Sequence, residues 1–391
     1  MTTRRQIMAM AAAAGSAAAQ SAVKKIRLAV VGGGFGTSFY FHEHPQCEVT
    51  AVTDLYAERR QRLRDTYRCD NVYESLEEML KRRRDLDAVA IFSDVPSHVK
   101  HAKMCMEQGL HVISAVPACI SLAEAEELRA VKEKTGLRYM MAETSYYRQT
   151  CIHARELFQK GEFGQILYSE VEYYHDFSFE ERLTKRPSLY FNPDGSNSWR
   201  QAWPPMHYPT HSIGLAVAVT KERVTSVSCL GLGDREKMAR IPNNRMKNPF
   251  FNEFALMGTS GGHVIRHNEC RQIAAQEIER AQWFGDKGTL YMAIPGVLVD
   301  TWQPRYGKPA PANVPNYWST ERLPVAMRHQ SGHGGSHTFI SAEFVNALLE
   351  NREPTVNVYE ALAMTVPGFV AHQSALKNGE RMKVPSFDRT V

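Results

Sequence analysis

Within residues 199–219, Tyr208, Pro209, Thr210 and His211 follow His207 in an order suited to moving protons. Two histidines four apart on one helix would suggest a metal pair. Pro209 stands between them, however, and proline is tolerated in a helix only in its first turn. The helix is therefore expected to begin near Pro209, with the two imidazoles on different faces and no metal site. His211 then falls in the first turn, where the positive end of the helix dipole disfavours imidazolium. The expected state is a neutral base near pH 7, with Tyr208 beside it as a proton donor or a hydrogen bond to substrate. A loop anchored by stacked aromatics and prolines would use the same residues without chemistry.

A second chemical stretch occupies residues 26–54. The apolar run over 26–31 has the pattern of a parallel strand buried on both faces. It stops at Gly32, Gly33 and Gly34, where a turn without Cβ atoms lets a pyrophosphate approach the backbone. From Phe35 the chain is expected to open a helix whose free N–H groups hold the phosphates. A further apolar run over 49–53 ends in Asp54, at the distance from Gly34 where a carboxylate reaches ribose hydroxyls. Thr37 replaces the third glycine of the G-x-G-x-x-G pattern. Asp54 favours NAD over NADP, because it would repel a 2′-phosphate, while Arg59 and Arg60 weaken that preference. The stretch reads as a dinucleotide site.

The surrounding chain must hold these two stretches in place. Strands are expected over 86–92, 111–114 and 139–142. Helices alternate with them, one over 96–108 closed by Gly109 and one opened by a capping box at Ser121 and Glu124. This alternation predicts an α/β fold, with a doubly wound parallel sheet of Rossmann type over 24–148 and ligands at the C-terminal strand ends. Ser93, His98, Ala115, Val116 and Glu143 sit at or just past such ends. Beyond about residue 150 the pattern changes to longer strands over 165–177, 224–232, 250–257, 262–266 and 281–294. A Pro- and Gly-rich loop over 295–335 is long enough to be functional, and two amphipathic helices fall within 338–378. Residues 149–391 are read as an α+β substrate-binding domain with a largely antiparallel, open sheet.

Residues 1–22 stand apart. Arg4 and Arg5, an alanine-rich run and an A-x-A site at Ala17, Ala18 and Ala19 read as a twin-arginine secretory signal. The expected location is periplasmic or otherwise extracytoplasmic. Twin-arginine export carries folded proteins, which suits an enzyme that loads its nucleotide in the cytoplasm. The apolar stretch is too short to span a bilayer, and no later one reaches that length. The formal charge of +5 over 391 residues falls to about +3 without Arg4 and Arg5, too little to indicate nucleic acid. Seven cysteines lack C-x-x-C spacing and, being odd in number, cannot all pair internally. They read as small core residues.

The order of strand, glycine turn, Asp54, Ser93 with His98, HVISAVP over 111–117 and a C-terminal sheet domain resembles the Gfo/Idh/MocA family of sugar oxidoreductases. The likeness extends over essentially all of the chain after the signal. Residues 111–117, 140–143 with Tyr147, Tyr173-Tyr174-His175, Trp199-Arg200, Tyr208-Pro209-Thr210-His211 and His333-Gly334-Gly335 resemble one branch of it. That branch is the NAD-dependent glycosidases typified by bacterial α-N-acetylgalactosaminidase. Sugar dehydrogenases of the family usually carry Glu-Lys-Pro, whose lysine helps move the hydroxyl proton. Here the tripeptide is Ala115-Val116-Pro117, and valine transfers no proton. The usual Asp four before the histidine is His207. The glycosidase branch also has valine before the proline, although Thr144 stands where it usually has Asn.

The resemblance implies the branch's chemistry. NAD⁺ takes hydride from sugar C3, the ketone acidifies the C2 proton, a base removes it and the aglycone leaves C1. Water then adds and NADH returns the hydride. It further implies His211 as the proton-abstracting group with Tyr208 beside it. Tyr147, Tyr173, Arg200, Tyr208, Pro209, Thr210 and His211 would form the sugar side. Gly32, Gly33, Gly34, Phe35, Asp54, Ser93, His98, Ala115, Val116 and Glu143 would form the cofactor side. Two other readings stay open. One is an exported NAD(P)-dependent oxidoreductase of a sugar or polyol, in which Glu143 and His207 replace the missing lysine. The other is a non-catalytic sugar-binding module that keeps nucleotide as a structural part. The expected partner is a small carbohydrate, with no nucleic acid and no membrane span, and the open sheet face suits a homo-oligomer.

Overall fold

The computed structural model describes residues 25–389 apart from 177–187, 189 and 276. The signal read in residues 1–22 lies outside the described residues. Among the described residues the strands form two sheets, of six and nine strands. The first sheet contains β1 (Ile26–Val31), β2 (Cys47–Thr53), β3 (Val72–Tyr73), β4 (Ala88–Ile91), β5 (His111–Ser114) and β6 (Tyr139–Met141). They are parallel in the order β3-β2-β1-β4-β5-β6. Their apolar runs are buried because helices cover the sheet, α1 (Ala57–Tyr67), α2 (Leu76–Arg82), α3 (His98–Met106) and α4 (Leu122–Thr135). Ser75 caps α2 by accepting from Glu78 N at 3.1 Å, and Ser121 caps α4 from Glu124 N at 3.1 Å. The strand order reverses between β1 and β4, which opens a crevice at their carboxyl ends.

No α-helix follows the glycine turn, contrary to expectation. Two 3-10 turns, Gly36–Ser38 and Phe41–Glu43, stand there instead, separated by Tyr40 at φ 54°. A bulky residue in left-handed backbone cannot continue a right-handed helix. The pattern's close-packing glycine is also displaced. A Cβ at Gly36 would lie 3.0 Å from both Phe92 and Val30, so Gly36 does what position 37 does in the usual fingerprint.

The second sheet contains β7 (Ile166–Tyr174), β8 (Val224–Leu232), β9 (Asn252–Thr259), β10 (Val264–Cys270), β11 (Ile278–Gly285), β12 (Gly288–Tyr291), β13 (Thr301–Pro304), β14 (Ala310–Pro311) and β15 (Met382–Lys383). Its order is β14-β13-β12-β11-β7-β10-β9-β8-β15, and only the β7–β10 pair is parallel. Among the described residues, helices α5 (Gln149–Gln159), α6 (Thr210–Thr220), α7 (Arg235–Ala239), α8 (Gly332–Leu349) and α9 (Val358–Leu376) follow the first sheet. Helix α6 is buried along Thr210–Val219, because it lies between the inner face of the sheet and α5 and α9. The indole N–H of the fully buried Trp283 donates to Leu215 O at 3.3 Å and ties β11 to α6. Leu230, Leu232, Phe254 and Leu256 are exposed on the outer face. All seven cysteines are buried and unpaired. No helix among the described residues is long and apolar enough to cross a membrane.

Candidate active site

The glycine turn is built to receive a dinucleotide. Gly32 has φ +98°, and a Cβ on it would lie 2.2 Å from Phe92 O. A Cβ on Gly33 would lie 2.3 Å from Arg59 O. Gly34 is open, with no atom nearer to its Cβ position than the Arg59 guanidinium at 3.8 Å. The amides of Gly34 and Phe35 have no acceptor among the described residues. Asp54 accepts from Gly33 N at 2.8 Å and from Tyr56 N at 2.9 Å, so it fixes the turn from the end of β2. Arg60 is spent on the backbone, donating to Asp54 O and Leu55 O. Open amides, a cradle that side chains would fill and a strand-end carboxylate fit NAD. Ala115 and Val116 follow β5 at the same edge, both buried, and Ser93 Oγ follows β4, 2.9 Å from His101 Nδ1.

His211 stands in the first turn of α6, as the position of Pro209 requires. Its charge corrects the expectation of a neutral imidazole. Nδ1 is 3.0 Å from Glu143 Oε1, and Thr144 Oγ1 is 3.4 Å from the same nitrogen. Burial alone would lower the His211 pKa, but the carboxylates of Glu143 and then Glu279 outweigh it and raise it to about 10. A whole carboxylate in contact overrides the partial charge of one helix terminus. Glu143 is itself fully buried and is held ionised by His211 and by Ser145 N at 2.8 Å. Gly214, one turn along α6, makes room for it, since a Cβ there would press on Glu143 Cγ at 3.3 Å. Glu143, expected on the cofactor side, is thus the partner that orients and charges His211.

An aromatic and cationic wall faces this pair. The rings of Tyr173 on β7 and Tyr208 each lie 5.2 Å from His211. Burial pushes the Tyr173 phenol well above its ordinary value and keeps it a hydrogen-bond donor. Arg200 lies 4.4 Å over Trp199 and 6.0 Å from Tyr208. Arg271 lies 4.6 Å over Tyr173, held from Nη2 by Glu269 Oε2 at 3.1 Å. Glu269 in turn bonds His267 and Ser212 of α6. On the other side Glu279 of β11 accepts from Arg148 Nε at 3.1 Å and Ser145 Oγ at 3.1 Å. Burial works against its ionisation, but Arg148, then His211 and His333, hold its pKa down at about 2. His333 at the start of α8 stacks 6.3 Å from His211 and lies 5.8 Å from Phe35 of the glycine turn. Burial, with His211 and Arg148 adding to it, lowers His333 to about 4 despite Glu279.

Several expected site residues lie elsewhere. His98 Nδ1 is 2.9 Å from Pro117 O and Nε2 is 3.2 Å from Ser93 O. Burial lowers its pKa and favours the neutral ring, so His98 donates to one of the two carbonyls while packed between two strand-end loops. Tyr147 stacks on Phe339 at 6.0 Å and lines a cavity of about 210 Å³ with Arg155, Arg322 and Glu343. Pro209 turns its ring toward Gly368 of α9, and Thr210 is fully buried. Neither presents a side chain to a sugar. His207 packs 4.9 Å from both Phe369 and His372, and burial, aided by His372, keeps it well below the ordinary histidine range. It cannot stand in for the missing lysine. Arg148, Arg271 and Glu279 went unread in the sequence. Their one signal was charge, on β11 for Glu279, just past β10 for Arg271 and just before α5 for Arg148. No group of three His, Cys, Asp or Glu side chains among the described residues is arranged to hold a metal ion.

Residues 26–143 match the oxidoreductase family with NAD-binding Rossmann fold, Gfo/Idh/MocA, and residues 318–391 match the C-terminal domain of glycosyl hydrolase 109. A glycosyl hydrolase family 109 protein of Streptomyces coelicolor is 22% identical over 93% of this chain and 83% of its own length. An alpha-N-acetylgalactosaminidase of Bacteroides fragilis is 31% identical, over 34% of this chain and 31% of its own. Among solved structures, the WlbA dehydrogenase of Bordetella pertussis with NADH and UDP-GlcNAcA superposes with TM-score 0.73 at 17% identity, covering 93% of this chain and 98% of that one. The myo-inositol 2-dehydrogenase of Lactobacillus plantarum superposes with TM-score 0.70 at 17% identity, covering 93% and 100%. These two likenesses speak for the fold.

Proposed function

We propose that this NAD-dependent enzyme, which joins the nucleotide-binding domain of the Gfo/Idh/MocA oxidoreductases to the C-terminal domain of glycosyl hydrolase 109, cleaves a glycosidic bond by transient oxidation at sugar C3. The observation that carries the reading is the buried His211–Glu143 pair, 3.0 Å apart and faced by Tyr173 and Tyr208. NAD, when bound, supplies reversible hydride acceptance at a sugar carbon. Gly34 and Phe35 amides would hold its pyrophosphate and Asp54 its ribose.

The remaining steps fall to the chain's own side chains. A protonated His211 donates to the oxygen on C3 and stabilises the negative charge that gathers there once C3 is a ketone and a water molecule takes the C2 proton, which passes on to the departing aglycone oxygen. That charge stabilisation is what lets the aglycone leave from C1, and a simple dehydrogenase has no use for it. Tyr173, Tyr208 and Arg200 would orient the ring. Glu143 keeps His211 aligned and charged. The activity named for the B. fragilis relative makes an α-linked N-acetylhexosamine the first substrate to try. The twin-arginine pattern in residues 1–22 supports export with NAD already loaded. The exposed Leu230, Leu232, Phe254 and Leu256 on the outer sheet face support a homo-oligomer.

The test is product analysis on a panel of aryl glycosides with no nicotinamide added. Free aglycone, unchanged bound NAD and deuterium at C2 after reaction in D₂O are expected. Accumulation of a ketosugar with NADH, and no free aglycone, would overturn the reading in favour of a sugar dehydrogenase.

A further inference from the structure

A sugar carbon cannot be oxidised to a ketone unless some group accepts the hydroxyl proton. The residues expected to do so are disqualified by their surroundings. Val116, in place of the usual lysine, carries no ionisable group; Glu143 is engaged by His211 and Ser145 N, His207 faces Phe369 and His372, and His211 already holds its proton against Glu143. We propose that His333 is that acceptor, its Nε2 taking the proton as the carbinol is oxidised. The proposal rests on the NAD-dependent chemistry above, though not on whether a glycosidic bond is then broken.

The hydrogen-bond chain behind His333 sets its tautomer. His337 Nδ1 lies 2.8 Å from Ser38 O. A carbonyl oxygen only accepts, so that nitrogen carries the hydrogen. Neutral His337 then has its lone pair on Nε2, which lies 2.8 Å from His333 Nδ1. His333 must therefore donate from Nδ1, and its Nε2, across the ring from His337, is the bare nitrogen. The ring lies between Phe35 on the cofactor turn and His211 on the sugar side. Its backbone is held in the left-handed region at φ 50°, followed by Gly334 at 67° and Gly335 at 93°. Two glycines accept that conformation freely, while a histidine costs energy that functional positions commonly store.

In the step itself the sugar O–H bond breaks and its proton bonds to His333 Nε2. The oxygen's electron pair closes the C=O bond, and the carbon's hydrogen leaves as hydride to NAD⁺. Sugar is oxidised, NAD⁺ is reduced, and re-reduction runs the same path backward. Glu143 and Glu279 favour the protonated ring, while His211, Arg148 and His337 oppose it. The closeness of Glu279 is what makes a transient second cation beside His211 tolerable.

Two measurements on the NAD-loaded protein decide it. Nitrogen NMR of the histidines should find His333 neutral at pH 7 with hydrogen on Nδ1; the opposite tautomer or an imidazolium would overturn the proposal. Rapid mixing with an aryl α-N-acetylhexosaminide, read by nicotinamide absorbance, should show NADH formation that falls on acidification through about pH 4. His333→Gln should slow that burst by roughly 10²–10³-fold while retained nucleotide per chain stays the same. A wild-type burst rate in His333→Gln would overturn it. His337→Gln, whose amide oxygen can still accept from Nδ1, should keep more of the burst than His337→Leu, and equal loss in both would reduce His337 to packing. A wild-type burst without aglycone release would defeat the glycosidase reading and leave this assignment intact.

Discussion

His211 and His333 lie 6.3 Å apart with nearly parallel rings, yet they hold opposite charge states near neutral pH. His211 is buried and His333 half-buried, and that burial alone would favour the neutral ring in both. The difference lies in what meets Nδ1. For His211 it is the Glu143 carboxylate, which can only accept and so rewards the cation. For His333 it is another imidazole whose own hydrogen is committed to Ser38 O. One site thus holds a charged donor and a bare acceptor made from the same residue type, as acid–base work requires.

The sharpest way to break the comparison is to remove the charged member. His211→Ala should lower turnover by roughly 10²–10⁴-fold, with nucleotide retention unchanged because the glycine turn and Asp54 do not touch it. Wild-type turnover in that variant, read by aglycone release, would sink its role. Glu143→Gln tests the cause of the charge. The amide leaves the ring in place but withdraws the stabilising negative charge. Turnover should fall by about 10–10²-fold, and the alkaline limb of the pH profile, set by a His211 pKa of about 10 in the parent, should move toward the ordinary histidine value. An unmoved limb would show that something other than Glu143 sets the charge.

Why this pair was invisible in the sequence follows from distance along the chain. Glu143 and His211 are separated by 68 positions, and helix-dipole reasoning sees only the local turn. The nucleotide half was legible because β1, β2, β4, β5 and β6 are largely buried and so appear as apolar runs, ending in Gly32, Asp54, Ser93, Ala115 and Ala142. The helix after the glycine turn was misread because a left-handed Tyr40 leaves no mark in composition. Tyr147 was misread because the 3-10 turn Ser145–Tyr147 sends neighbouring side chains in different directions. In the second sheet the strands expected over 262–266 and 281–294 stop short of Glu269 on β10 and Glu279 on β11, which gain meaning only from Arg271 just past β10 and Arg148 just before α5.

The two histidines should also oppose each other in stability. His211 is raised above the unfolded value of about 6.5. Its contribution is complete below that pH and is lost as pH climbs through about 10. His333 and His337 are depressed to about 4 and about 3, the first by burial and then the nearby cations, the second by burial and then His333. Their contribution is complete above about 6.5 and is lost as pH falls toward those values. Stability by chemical denaturation should therefore peak near the ordinary histidine pKa and decline on both sides, on the order of 1 kcal/mol per pH unit. Glu143→Gln should flatten the alkaline side, and His337→Leu the acid side near the histidine range. A profile that both variants change alike would mean the two centres titrate as one.

The smallest effect is expected at His207, which shares with His211 the same short stretch and nothing of its environment. Both of its ring nitrogens are buried without a hydrogen-bond partner among the described residues, and its ring packs edge-on to Phe369 and His372. A buried imidazole left unpaired forfeits hydrogen bonds it had in water, a cost of roughly 1–3 kcal/mol. His207→Phe replaces it with a ring of similar shape that loses no hydrogen bonds on burial. Stability should stay level or rise slightly, and turnover should change by less than about 3-fold, against the 10²–10⁴-fold expected at His211. Aglycone release and a denaturation curve on the same preparation check both. A loss at His207→Phe comparable to that at His211→Ala would mean that the stretch works as one unit, with the proton held in common by both histidines, and the separation of charged donor from buried packing ring drawn from their neighbours would fail.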